Sequence, residues 1–85
     1  MMPTIAVIEG VRIMIFANDH APPHFHARFA EFEALISAAT GDILDGSLPA
    51  TKLRTVRDWF EPRRAHVAYI WTEIRAHRYR GGLIP

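Results

Sequence analysis

A chain of 85 residues, 49% of them hydrophobic, with a formal net charge of +1, reads as one small domain over residues 1–85; a chain this short buries roughly 60% of its unfolded surface and has material for one thin core. The lack of cysteine excludes a disulfide framework, a thiolate nucleophile and any sulfur-based zinc site, so a metal would need histidine and carboxylate ligands. The opening TIAVIEGVRIMIF is interrupted by Glu9, Gly10 and Arg12 and lacks a basic start, which argues against a signal peptide or membrane span and makes the reducing cytoplasm the expected compartment.

Thr4 to Ile8 and Val11 to Phe16 are β-branched and aromatic runs separated by Glu9-Gly10, the pattern of a hairpin. In the second run Val11, Ile13 and Ile15 share one face and Arg12, Met14 and Phe16 the other. NDHAPP ends that strand, because Asn and Asp favour turns and the two prolines supply no backbone donor. A third strand starts near His24 and pairs with Phe32 to Ser37; ATGDI then turns into a short strand at Ile43-Leu44. The N-terminal hairpins thus predict an antiparallel sheet of four to five strands.

Helical signals begin at GSLPATKL, where Ser47 can cap and Pro49 suits a first turn. Leu53, Val56 and Phe60 recur at helical spacing, Pro62 breaks or bends the helix, and a second helix from about Arg63 to His77 carries Val67, Ile70, Trp71 and Ile74 on one stripe. RGGLIP closes it and leaves a tail. The expected fold class is α+β, with both C-terminal helices packed on one face of the sheet and Trp59 and Trp71 filling the layer between. Arg54–Asp58 and Arg57–Glu61 stand at the four-residue spacing of helix ion pairs. His66, Tyr69, Glu73 and His77 form a mixed polar stripe read as a solvent face.

Charge is distributed unevenly: residues 1–50 sum to −4 and residues 51–85 to +5, and nine of the ten bases are arginine. Such a half can meet RNA or an acidic protein, or the two halves can simply attract each other within the fold or across a dimer. A sheet covered by helices on one side only also leaves an edge or face that a second copy can cover, so a homodimer is among the expectations.

Residues 18–28, NDHAPPHFHAR, hold three of the five histidines. His20 and His24 have the spacing of a helical metal pair, but Pro22 and Pro23 forbid an ordinary helix there. An extended lead-in is favoured instead, and strand alternation then places His24, His26 and Arg28 on one face while Phe25, Ala27 and Phe29 face the core. Three chemistries fit. His24 and His26 can clasp zinc or a similar divalent ion, with Asp19 or His20 as a third ligand. As a metal-independent ribonuclease, the two imidazoles would be an acid–base pair and Arg28 the phosphate clamp, with no cofactor. In plain recognition, the row binds a partner protein or an anion. Against all three, the histidines can merely line a half-exposed face, satisfied by Glu31, Glu33 or water.

NDHAPPHFHA, EALISAATGDILDGSLP and LRTVRDWF together resemble a bacterial family of small proteins, domain-of-unknown-function family 4160, whose hallmark is an Asn-Asp-His-x-Pro-Pro-His-Phe-His signature. The resemblance covers nearly the whole chain, and the signature positions fall on Asn18, Asp19, His20, Pro22, Pro23, His24, Phe25 and His26. It implies a compact α+β protein encoded beside another small protein in an arrangement like a toxin–antitoxin pair. EPRRAHVAYIW departs from the family's pattern in being richer in arginine and less acidic. The combined expectation is a toxin–antitoxin-like protein that acts on or binds RNA through His20, His24, His26 and Arg28, has a small partner encoded nearby, and has no membrane association.

Overall fold

Glu9 and Gly10 take φ of 47° and 83°, the two left-handed positions a type I′ turn requires, and so join the first strands as a tight hairpin. The structure, a computed structural model, describes residues 4–85. Five strands follow in chain order: β1 (Thr4–Ile8), β2 (Val11–Met14), β3 (His24–Phe29), β4 (Phe32–Ser37) and β5 (Ile43–Gly46). They form one antiparallel meander in which each strand lies beside the next. β2 ends at Met14, short of the expected Phe16, because Phe16 already bonds into the following turn through its amide and the Asp19 carboxylate, 3.1 Å apart.

Alternation sorts the sheet into two faces. Val11, Ile13, Phe25, Ala27, Ala34 and Ile36 are fully buried and form one core with Val56, Trp59 and Phe60 of α1 (Ala50–Phe60) and Val67, Ile70, Trp71 and Ile74 of α2 (Arg64–Arg75). The helices are not separated by Pro62. A short 3-10 turn, Glu61–Arg63, joins them into one continuous helical region, and the proline sits in its first turn, where a missing N–H costs nothing. Ser47 is not the cap expected of it. Its amide still donates to the Glu33 carbonyl at 3.1 Å as an extension of the sheet, and α1 starts from Pro49, whose carbonyl accepts from Leu53. α2 ends at Arg75, two residues earlier than its periodicity suggested.

The basic half meets the sheet through backbone oxygens. Lys52 donates to the Glu9 carbonyl at 2.8 Å, Arg57 to Gly41 at 3.0 Å, Arg64 to Ala39 and Thr40, and Arg75 to Asp19 at 2.7 Å. Turn carbonyls left over from the strand ladders need donors, and these side chains provide them. Arg57 is therefore not paired with Glu61, which binds Arg64 at 2.9 Å instead, and Arg54 and Asp58 form no ion pair among the described residues. The bond from Arg64 also holds the Glu61 carboxyl below its usual range. The tail returns to the sheet: Ile84 N–H donates to the Ile5 carbonyl at 2.7 Å, and the Trp59 indole donates to Pro85 at 2.9 Å. Among the described residues, no helix is long and apolar enough to cross a membrane.

Gly46, with φ of 76°, lies against the Glu33 backbone where β5 leaves β4, and an added Cβ would collide with the Glu33 carbonyl. Gly46→Ala should destabilise the fold by more than about 1 kcal/mol, measured as a lower urea midpoint with an unchanged slope; an unchanged midpoint would contradict this packing.

Candidate metal centre

Strand β3 presents His24, His26 and Arg28 opposite the core-facing Phe25 and Ala27, as alternation demands. The face that carries the imidazoles is not open, however. His24 is 7% exposed, and Met14, the cross-strand partner of His26, is 1% exposed. Residues 16–23 account for this by folding back beside the imidazoles. The Asp19 amide donates to the Phe16 carbonyl, and the Asp19 carboxylate accepts from the Phe16 amide, each at 3.1 Å, which closes a tight turn. The Phe16 ring then stands edge-on to His26, with centroids 4.7 Å apart. From the other side α2 brings Trp71 within 5.2 Å of the His24 ring, and Arg75 stacks over that indole while bonding the Asp19 carbonyl.

The hydrogen bond to the Pro22 carbonyl fixes the role of one ring. His24 Nδ1 lies 2.8 Å from the Pro22 carbonyl, which can only accept, so Nδ1 carries the proton. His24 Nε2 then faces Asp19 Oδ2 at 3.5 Å. His26 stands between two carboxylates, with Nδ1 at 3.3 Å from Glu33 and Nε2 at 3.2 Å from Asp19 Oδ2. A neutral imidazole has one N–H, so at least one nitrogen of His26 and one of His24 present a lone pair to an anionic oxygen. Such an arrangement requires positive charge at the centre, as protons or as a metal ion. The ligand atoms of Asp19, His24 and His26 all lie within 4.8 Å of one another.

The structure thus gathers three of the residues singled out in the sequence and separates two others. His20 is exposed and outside the cluster. Arg28, its side chain 57% exposed, turns away to Glu33, with Nε 3.8 Å from that carboxylate, so Glu33 links it to His26. Glu31 takes no part in these contacts. The polar stripe expected on the second helix behaves as a solvent face: His66 and Tyr69 are exposed on α2, Glu73 is held by Arg78 at 2.8 Å, and His77, also exposed, lies past the end of the helix. Trp71 and Arg75 are the contributors that sequence reasoning missed. Helical spacing assigns Trp71 to the core alone, and nothing in the spacing of α2 signals that its last turn reaches the Asp19 loop.

The sequence profile of the family described as Domain of unknown function (DUF4160) matches residues 10–72. The chain belongs to this family. No curated protein and no solved structure matches it. In this DUF4160 chain the matched span contains Asp19, His24, His26, Glu33 and Trp71, while Arg75 lies just beyond it.

Because Arg75 ties the loop to α2 by one charge-assisted bond, Arg75→Ala should raise the exchange rates of the Phe16 and Asp19 amides, the two that close the loop, by about 10–100-fold, in line with the 1.5–3 kcal/mol typical of bonds to charged groups. Protection in β3 and β4 should be unchanged. Equal loosening of the whole sheet would contradict this local role.

Proposed function

We propose that this DUF4160 protein binds one divalent ion of the zinc type through His24 Nε2, His26 Nε2 and the Asp19 carboxylate. The observation that carries the proposal is the disposition of the ring nitrogens: each Nδ1 has its own acceptor, Pro22 O or Glu33, and each Nε2 points at Asp19. Metal-bound histidines characteristically donate their second nitrogen to a carbonyl or carboxylate, which fixes the tautomer and the ring orientation. One doubly charged ion between the three groups supplies the positive charge the geometry requires. Two imidazoles and one carboxylate suit zinc and related ions, and three protein ligands leave the remaining positions for water or a substrate oxygen. Hydrolysis is the natural chemistry of such an ion, and the RNA-directed, toxin-like role implied by the family resemblance would use it on phosphodiesters.

A metal-independent ribonuclease draws less support. Its two imidazoles should flank a phosphodiester, whereas here both Nε2 atoms converge on one carboxylate and the rings are only 9% and 13% exposed in their side chains. Partner binding by the row draws on no specific contact.

Purified without a tag or chelator, the protein should take up one equivalent of zinc, and cobalt should give the visible bands of a site with nitrogen and oxygen ligands. His24→Ala, His26→Ala and Asp19→Ala should each abolish stoichiometric binding, while His20→Ala retains it. Glu33→Gln should weaken it by about 10–100-fold. Affinity should fall as pH is lowered, since the imidazoles must give up a proton to coordinate. Uptake that is absent, or unaffected by His24→Ala, rejects the site; RNA cleavage and growth inhibition that persist in chelator but vanish in His24→Ala and His26→Ala would establish the metal-free ribonuclease instead.

A further inference from the structure

The antiparallel register sets Arg12 of β2 directly opposite Arg28 of β3, and Arg28 directly opposite Glu33 of β4. Both arginines are exposed, and with Gly10 and Ala30 they line an open groove of about 280 Å³ between the β1–β2 and β3–β4 turns. Like charges directly opposite on one face destabilise a sheet. The only carboxylate in this row is Glu33, which stands 3.8 Å from Arg28 and is already shared with His26, and Arg12 has no ion-pair partner among the described residues. Gly10 and Ala30, the other residues that line the groove, have no side chain or a single methyl group.

We propose that Arg12 and Arg28 form an anion site for a phosphate group. Two planar guanidinium forks, on Cα partners whose Cβ atoms stand about 5 Å apart, can grip different oxygens of one tetrahedral anion. A single carboxylate is satisfied by one fork. Arg28 is two residues from His26 along the strand, about 6.6 Å, so a phosphate held here lies on the same face as the metal centre, one residue pair away. The anion site stands without the metal; only the inference that its phosphate belongs to the metal centre's substrate rests on the reading above.

Inorganic pyrophosphate, titrated into metal-free protein at low ionic strength and followed by amide and arginine Nε chemical shifts, separates the two. Shifts should concentrate at Arg12, Arg28, Gly10 and Ala30. Arg12→Gln and Arg28→Gln should each weaken binding at least tenfold, Glu33→Gln should strengthen it by removing the competing carboxylate, and Asp19→Asn, which disables the metal centre, should leave it unchanged. Arg54→Gln is the control for non-specific attraction. Binding unaltered in Arg12→Gln and Arg28→Gln, an equal loss in Arg54→Gln, or tighter binding of malonate than of pyrophosphate would overturn the proposal.

Discussion

Two imidazoles whose outer nitrogens are both occupied must turn their inner nitrogens toward the same carboxylate, and the rest of this molecule is arranged so that they can. The Pro22 carbonyl holds His24 Nδ1, Glu33 holds His26 Nδ1, and Asp19 receives both Nε2 atoms. Each group alone would be costly at this depth, because a buried charge or unpaired polar atom loses its water without replacement. A cation at the centre, as proposed above, would satisfy all of them together.

The fold supplies this arrangement by making its two sheet faces different. Phe25 and Ala27 anchor β3 in the helix-covered core, so the histidines that alternate with them cannot rotate inward. Residues 16–23 then roof the opposite face, and α2, which belongs to the core for most of its length, extends Trp71 and Arg75 far enough to hold that roof in place. Basic side chains elsewhere on the helices perform a similar task at the turns, donating to carbonyls that the strand ladders leave free. Many basic side chains of the second half are thus engaged within the fold, but on neutral carbonyls; among the described residues no ion pair joins the acidic half to the basic one. Arg12 and Arg28 differ in facing each other across an open groove.

Much of this was legible in the sequence because it rests on local rules. The hairpin at Glu9-Gly10, the strand Phe32–Ser37 and the shared direction of His24, His26 and Arg28 follow from turn chemistry and a period of two. Ser47 misled because its amide is claimed by the Glu33 carbonyl, a non-local partner that a capping rule does not see. His20 misled because it adjoins Asp19 in the chain, yet the turn closed by Phe16 points only Asp19 inward. The Arg57–Glu61 pair failed for the same reason, Arg57 being drawn to Gly41, sixteen residues away in sequence. Local spacing named the candidate residues; which of them meet was decided by contacts between residues far apart in the chain.

The tautomers of His24 and His26 are where the account is most exposed. Long-range proton–nitrogen correlation spectra of the uniformly labelled protein with one equivalent of zinc read them directly. Both rings should carry their proton on Nδ1, with both Nε2 resonances moved to the metal-bound position. A proton on Nε2 of either ring, or Nε2 resonances that do not respond to zinc, would contradict it.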